Sequence, residues 1–324
     1  MYITLLCYLA GMVTKTRRAS VVVTVALLSV AAFASGIPPA KAATLHVGPG
    51  KLYPTPSAAA AVAQDGDRIV IAPGRYTDCA VWNADNLDIG GAGIQSTLIG
   101  WKSCAGKGVF VITGNGVTVH DMLLARSSVP DGNGAGIRFE GSDLVVERVQ
   151  FDSNQEGILA GSNPNSTLTV RNSRFTRLGL CSPCAHGIYV GTMKRVRVER
   201  SSFYLIHQGH AIKSRAAQTE VVDSTITDGT AGSSSYLIDA PNGGSLTVTG
   251  NTLQKGPNSS NKGIAISIGE EGNTQTPGPI TVTGNSFTNN TGTTVTFLMN
   301  ATATAATLSG NTFFGNAVRA LQGK

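Results

Sequence analysis

The sequence predicts an all-β chain wound as a parallel β-helix, with a short helix capping its N-terminal end. Composition is the first reason. Only 14% of the 324 residues are charged, against roughly one quarter in an ordinary soluble domain, and 39 residues are Gly. Helix formers are scarce, so layers of small β-branched residues are expected in the core. The second reason is an apolar unit that recurs along most of the chain.

The first 42 residues have the three-part layout of a secretory signal peptide. Lys15, Arg17 and Arg18 precede an uncharged apolar stretch, and the small-residue site Ala40-Lys41-Ala42 follows it. The stretch is shorter than the ~20 residues that span a bilayer. We therefore expect cleavage rather than a membrane anchor, no membrane span after cleavage, and a secreted or periplasmic protein.

Removing this segment removes most of the basic charge. The chain has 25 Lys and Arg against 19 Asp and Glu, and four of the basic residues lie in residues 1–42, which contain no acid. The mature domain, residues 43–324, then has a formal net charge of +2 rather than +6. A basic surface that binds nucleic acid is therefore not expected.

The mature domain contains four cysteines, an even number that is typical of exported chains. Cys79 and Cys104 are 25 residues apart, about one coil, so they could face each other within disulfide reach. Two disulfides are the default prediction. The alternatives for the second pair are a redox pair or half of a metal site. The ligands of that site would be Cys181, Cys184, His186 and His210.

The repeating unit is an aliphatic anchor, four mostly polar positions and an apolar residue. It recurs eight times, with successive anchors 23 to 34 residues apart. A second short strand recurs in step, from Gly-Ile-Arg at 136–138 to Leu-Ile-Asp at 237–239. Coils of this length can wind so that each strand pairs with its copy in the next coil. The anchors are Val119, Val146, Val170, Val198, Val221, Val248, Val282 and Leu308.

Two further details fit a solenoid whose N-terminal end is covered and whose turns are stabilised by polar side chains. Residues 57–64 are predicted to form a capping helix, with Thr55 as N-cap and Pro56 at the first helical position. Equivalent corner positions carry Ser in earlier coils and Asn in later ones, which predicts a ladder of stacked polar side chains. These positions are Ser173, Ser201, Ser224, Asn251, Asn285 and Asn311.

One outward column of the second strand carries most of the reactive side chains. Equivalent positions of adjacent coils lie about 4.8 Å apart, so a column read down the repeat gives spatial neighbours. With the isoleucines inward, the residue after each points outward, and Arg215 lies beside Lys213. The alternative is a solvated ladder in which Lys213 only pairs with Asp239. The column is Arg138, Leu159, Tyr189, Lys213 and Asp239.

His186 and His210 lie two residues before their isoleucines and are expected to stack on adjacent coils, between Glu156 and Tyr236. Strict alternation would point both rings inward as buried, hydrogen-bonded groups. A turn at this position would instead leave them exposed beside a groove. The sequence leaves both orientations open.

Three segments carry a family resemblance: HGIYVG at 186–191, GHAIKSRA at 209–216 and SYLIDAPNGG at 235–244. They resemble a group of secreted bacterial proteins in the pectate-lyase-like superfamily. The resemblance implies a single-stranded right-handed parallel β-helix over most of residues 43–315, and it implies no particular reaction for that group.

Within that superfamily, alginate lyases and chondroitinase B carry an outward Lys-Ser in which Lys is the general base, and Lys213-Ser214 is similar to it. Those enzymes place an Arg on the following coil, where this chain has Asp239. Their calcium-binding cluster of acids and amides has no counterpart in this sequence. Calcium is therefore the one cofactor that stays open, and no other cofactor is expected.

The leading functional prediction is a polysaccharide partner, with cleavage or epimerisation of a uronate-containing glycan by β-elimination-type chemistry. Arg215 would neutralise the uronate carboxylate, and Lys213 or His210 would take the adjacent proton. Tyr189 or His186 would protonate the leaving oxygen. The alternative is a noncatalytic glycan-binding or cell-envelope module that uses the same groove. The remaining predicted site residues are Asp239, which would hold Lys213, and Arg138, Tyr236 and Asn242, which would bind the glycan.

Overall fold

A computed structural model of the protein describes residues 42–179 and 185–322. The predicted signal peptide, up to residue 41, and both Cys181 and Cys184 lie outside the described residues. The described ranges contain one helix, α1 (Pro56–Ala60), and 29 strands. None of their helices has the length and apolarity that crossing a membrane requires.

The first strands in chain order are β1 (Thr44–Val47), β2 (Arg68–Ile71), β3 (Gly74–Asp78), β4 (Ala80–Trp82), β5 (Asp88–Gly90), β6 (Thr97–Trp101), β7 (Gly108–Ile112), β8 (Val117–Ala125), β9 (Ala135–Phe139), β10 (Leu144–Asp152), β11 (Glu156–Ala160), β12 (Asn163–Arg171), β13 (Arg174–Thr176) and β14 (Ile188–Val190). The later strands are β15 (Met193–Glu199), β16 (Ser202–Tyr204), β17 (Ile212–Ser214), β18 (Gln218–Val222), β19 (Thr225–Thr227), β20 (Ile238–Ala240), β21 (Ser245–Thr249), β22 (Thr252–Lys255), β23 (Ile264–Ile268), β24 (Ile280–Thr283), β25 (Ser286–Asn289), β26 (Val295–Asn300), β27 (Ala306–Ser309), β28 (Thr312–Phe314) and β29 (Ala317–Gln322).

These strands form a parallel β-solenoid of about ten coils with three faces. The first face holds β1, β2, β5, β8, β10, β12, β15, β18, β21, β24 and β27. The second face holds β3, β6, the C-terminal halves of β8 and β10, then β13, β16, β19, β22, β25 and β28. The third face holds β4, β7, β9, β11, β14, β17, β20, β23, β26 and β29. The predicted all-β parallel β-helix is confirmed, and most of its coils contribute one strand segment to each of the three faces.

The core is built from the residues that the repeat predicted. Each anchor on the first face lies opposite the next anchor along the chain, as Val146 does with Val170 and Val170 with Val198. On the second face, the rings of Phe151, Phe175 and Phe203 stack with centroids 4.7 and 4.4 Å apart. The isoleucines of the recurring Gly-Ile and Ala-Ile strands, such as Ile188 and Ile212, are fully buried on the third face. Like side chains therefore stack from coil to coil, which keeps the register uniform.

The predicted polar ladder runs along the corner between the first and second faces. Ser173 Oγ accepts a hydrogen bond from the Val149 backbone N–H, and Asn285 Oδ1 accepts one from the Asn251 backbone N–H at 2.9 Å. Asn285 Nδ2 also donates to the backbone carbonyl of Val248 at 2.9 Å. The side chains thus satisfy backbone groups that the turn between two strands leaves without a partner.

The N-terminal helix is shorter than predicted. Thr55 caps it as expected, because its Oγ1 accepts from the Ala58 N–H at 3.3 Å. The helix ends at Ala60 rather than continuing to residue 64. The backbone N–H of Gln64 donates to the carboxylate of the buried Asp67 at 2.9 Å, and this bond competes with a further helical turn. The helix packs against β1 and β4.

Cys79 and Cys104 form the predicted disulfide, with their Cα atoms 5.5 Å apart. The bond joins neighbouring coils, because β3, which precedes Cys79, pairs in register with β6, which precedes Cys104. The predicted pair of Cys181 and Cys184 lies outside the described residues and stays a prediction.

Candidate functional site

The outward column on the third face has the predicted register. Tyr189 on β14 lies opposite Lys213 on β17, and Lys213 lies opposite Asp239 on β20. Ser267 on β23 continues the column. These side chains therefore occupy adjacent coils about 4.8 Å apart. Asp239 is only 2% exposed, so the carboxylate forms the floor of this site rather than part of its surface.

Arg138 lies at the edge of the column, away from this cluster. Leu159 stands between it and Tyr189 in the register, so Arg138 is two coils away from Tyr189. Its guanidinium bonds to Glu140 at 3.2 Å. Arg138 therefore does not touch the groups around Lys213, and its role in binding a glycan stays a prediction.

Glu271 is the carboxylate closest to Lys213. Its Oε1 lies 2.7 Å from Lys213 Nζ, whereas the Asp239 Oδ2 atom lies 3.8 Å away. The expectation that Asp239 holds Lys213 was therefore incomplete. Residues 269–279 connect β23 to β24, and the Glu271 N–H donates to the Pro241 carbonyl at 2.9 Å. This bond fixes the loop across the column and brings Glu271 over the lysine.

Arg215 joins three parts of the site. Its Nε donates to the Tyr189 hydroxyl at 3.2 Å, its Nη1 donates to Asn242 Oδ1, and its Nη2 donates to Glu271. Lys213 Nζ and the Arg215 guanidinium each lie 5.9 Å from the centre of the Tyr189 ring. This distance is within the range of cation–π attraction. The Arg215 guanidinium therefore contacts Tyr189 and Asn242 directly, and Glu271 links it to Lys213.

The two histidines form a stack beside this cluster. Their ring centroids are 4.8 Å apart, and His210 stacks on Tyr236 at 4.9 Å. His186 is buried at 5% exposure, while the His210 side chain is 12% exposed. Of the two orientations left open by the sequence, the buried one describes His186, and His210 sits at the boundary with its Nε2 3.8 Å from Asp239 Oδ2.

The side chains of Glu156, His186 and His210 each accept a hydrogen bond from a backbone N–H of the next coil. Glu156 accepts from the His186 N–H at 2.8 Å, His186 Nδ1 from the His210 N–H at 2.9 Å, and His210 Nδ1 from the Tyr236 N–H at 3.1 Å. An accepting Nδ1 carries no proton, so the proton of each neutral imidazole is on Nε2. The rings are therefore held as neutral Nε2–H donors.

Burial sets the ionisation of the site. It lowers the pKa of His186 to about 3 and that of His210 to about 2, with the positive charge of Lys213 acting in the same direction. Burial raises the pKa of Asp239 to about 7, partly offset by Lys213 and reinforced by the carboxylates of Glu271 and Glu270. Of these three groups, Asp239 is thus the one whose pKa lies near neutral pH.

Sequence reasoning missed Glu270 and Glu271. Glu270 Oε2 accepts hydrogen bonds of 2.8 Å from both the Tyr236 hydroxyl and Ser267 Oγ. Both glutamates lie in the loop of the longest coil, where anchors are 34 residues apart, outside any repeated position. The long interval was a signal for a loop, but it did not say which face the loop would cover.

Three faces of parallel strands with this polar site on one of them define a right-handed parallel β-helix protein. A family model described as "Periplasmic copper-binding protein (NosD)" matches residues 111–322, which is more than half of the chain. The chain belongs to this NosD family. No curated protein matches the chain.

Two solved structures are similar to the chain. The alginate lyase from Paenibacillus sp. str. FPU-7 shares 18% identity at a TM-score of 0.60, covering 87% of this chain and 99% of that one. The Azotobacter vinelandii mannuronan C-5 epimerase AlgE4 A-module shares 13% identity at a TM-score of 0.37, covering 79% and 88%. The first likeness shows the fold.

Copper, named in the family description, does not fit the donors that the described residues offer. Within 42–179 and 185–322, no group of three or more His, Cys, Asp or Glu side chains is arranged to hold a metal ion. The Nδ1 atoms of His186 and His210 are already occupied by backbone N–H groups. Coordination at Nε2 would move the ring proton to Nδ1, where those N–H groups point.

Proposed function

We propose that the protein acts on a polysaccharide that contains uronic acids, removing the proton beside the carboxylate and thereby cleaving or epimerising the chain. The observation that carries this proposal is the contact between Arg215 and Tyr189 next to Lys213 on the third face. It supplies a cation for the carboxylate, an amine and a phenol within one or two coils.

Arg215 would hold the uronate carboxylate and stabilise the charge that develops on it. Lys213 would take the proton from the carbon that bears the carboxylate. The two histidines are poor candidates for this role, because their Nδ1 atoms are occupied and their Nε2 atoms carry protons. Asp239, 3.8 Å from Lys213 Nζ and with its pKa raised to about 7, would accept the proton that the lysine must first release.

Tyr189 would act as the acid. Because its oxygen accepts a hydrogen bond from Arg215 Nε, its own hydrogen is free to be donated. In cleavage, the electrons of the broken C–H bond form a carbon–carbon double bond, the glycosidic C–O bond breaks, and the leaving oxygen takes the tyrosine hydrogen. In epimerisation, Tyr189 would instead donate its hydrogen to the carbon that lost its proton, from the opposite side of the sugar ring.

Export to the periplasm or beyond is part of the proposal. It rests on the signal-like N-terminus and on the periplasmic description of the NosD family. A glycan in the cell envelope or outside it would then be the accessible substrate.

The test is incubation of the mature protein with alginate, the glycan named for the lyase that shares its fold, and with polygalacturonate and hyaluronan. Cleavage is read from the ultraviolet absorbance of unsaturated sugar ends, and epimerisation from the uronate composition by NMR. Lys213→Ala should abolish either signal. The matched control is Lys194→Ala, which removes an exposed lysine from β15 on the first face.

Two results contradict the enzymatic proposal. One is an unchanged polysaccharide across the panel, and the other is turnover that survives Lys213→Ala. Retained glycan binding without turnover would instead support the noncatalytic glycan-binding module.

A further inference from the structure

Glu271 bridges the two cations of the site. One of its carboxylate oxygens lies 2.7 Å from Lys213 Nζ, and the other accepts a hydrogen bond from Arg215 Nη2. A carboxylate held by two cations through separate oxygens has the contacts that a bound uronate carboxylate would make. The protein's own side chain thus occupies the one position in the site where both cations converge.

The other two nitrogens of Arg215 donate to the protein itself. Nε is bonded to the Tyr189 hydroxyl and Nη1 to Asn242, whose amide in turn donates to Thr274 Oγ1 at 3.1 Å. These partners belong to the protein framework and orient the guanidinium. The contacts made by Glu271 can be replaced without dismantling that framework.

Glu271 is also the outermost group of the site. Its side chain is 45% exposed, against 24% for Arg215, 12% for Lys213 and 3% for Asp239. Its backbone is anchored by the bond to Pro241, and the same loop is held again by Gln275, whose Nε2 donates to the Arg215 carbonyl at 2.8 Å. A change of side-chain rotamer, without movement of the loop, is therefore enough to release both cations.

We propose that Lys213 and Arg215 form an anion-binding clamp that Glu271 fills until the carboxylate of a ligand displaces it. This inference rests on the same site as the proposed function and assigns Glu271 as its internal competitor. Glu271 lowers the affinity of the clamp for every anionic ligand, because the displaced carboxylate stays close to the incoming one. It also protects the clamp from small anions in solution.

The experiment is an NMR titration of the mature protein with sodium glucuronate and with its uncharged methyl ester. Glu271→Gln removes the competing charge and keeps the side-chain shape. We expect this variant to bind glucuronate about fivefold more tightly than the unsubstituted protein, the size of effect that partly exposed ion pairs allow. Affinity for the ester should not change. The gain should vanish in the double variant Glu271→Gln with Lys213→Met.

The matched control is Asp131→Asn, which removes one negative charge from an exposed loop residue whose carboxylate bonds only within its loop, to Asn133. It should leave glucuronate binding unchanged. Equal or weaker glucuronate binding by Glu271→Gln overturns the inference, as does an equal gain for the ester or the absence of binding in every variant.

The outcome is separable from that of the proposed function. If the protein converts a polysaccharide but Glu271→Gln shows no gain in glucuronate affinity, the clamp is refuted and the enzymatic proposal stands. If the gain is present but no polysaccharide is converted, the clamp stands and the enzymatic proposal is refuted.

Discussion

The Nδ1 atom of His186 accepts a hydrogen bond of 2.9 Å from the backbone N–H of His210, one coil further along the solenoid. His210 repeats the contact with the N–H of Tyr236. Two adjacent side chains thereby continue the backbone hydrogen bonding of the sheet across the bend that precedes the third face. The same bonds decide the position of the ring protons, and with it which groups of the site accept or donate.

We expect both histidines to remain neutral, with the proton on Nε2, from pH 8 down to pH 5. Burial lowers the pKa of His186 to about 3 and that of His210 to about 2. The measurement is the nitrogen chemical shift of each ring in ¹⁵N-labelled protein as the pH is lowered. Protonation of either ring above pH 5, or a proton on Nδ1, would contradict the geometry.

The same shifts predict how stability depends on pH. The unfolded chain protonates His186 and His210 near pH 6.5, whereas the folded chain protonates these two only near pH 3 or below. Between these values the unfolded state binds more protons, so the contribution of the two histidines to the free energy of unfolding decreases as the pH falls from about 6.5 to 3. Replacing both by Asn should flatten this part of a urea-denaturation profile.

Asp239→Asn is expected to stabilise the protein at alkaline pH. Burial raises the pKa of Asp239 to about 7, so the folded state binds more protons than the unfolded state between about pH 4 and 7. The resulting destabilisation grows as the pH rises through this window and is complete above it. We expect a gain of about 1 to 3 kcal/mol at pH 8 that disappears near pH 4. Lower stability of the variant at pH 8 would show that the charged carboxylate is favourable.

His186 and His210 are expected to contribute nothing to copper binding. Coordination at either ring nitrogen breaks a backbone hydrogen bond of the stack. Protein purified without chelator should therefore contain the same amount of copper per chain, by elemental analysis, as the variant with both histidines changed to Asn. Loss of one copper per chain in that variant would establish a metal site here and support the alternative with Cys181 and Cys184.

Asn285→Ala should cost about 2 to 4 kcal/mol of unfolding free energy. It removes an acceptor for the buried Asn251 N–H and a donor to the Val248 carbonyl, so that buried backbone groups lose their partners. Asn311→Ala, at the same position of the last coil and only partly buried, should cost less. Urea denaturation of the two variants makes the comparison, and equal losses would argue against the ladder as the cause.

The repeat is what made the fold and half of the site predictable. A constant interval between anchors implies which residues are neighbours across coils, so Tyr189, Lys213 and Asp239 could be placed side by side without coordinates. The ladder of Ser and Asn was predictable for the same reason. Position in a column depends only on counting.

The rest depends on features that have no period. Glu271 reaches the site through a loop that is held by bonds to Pro241, Asn242 and Arg215, and nothing in the sequence around it encodes that direction. The depth of Asp239 and the role of His186 as a hydrogen-bond acceptor likewise depend on how the chain bends before each strand of the third face. Alternation within a strand does not extend into that bend.

The loop at 269–279 supplies Glu270 and Glu271, while the cations and the phenol come from strands or their immediate ends. The two halves of the candidate site are thus encoded by separate segments, the strands of the solenoid and one inserted loop. Under the proposed function, exchanging this loop for a neutral or basic segment would change which sugars the site accepts while leaving the coils unchanged.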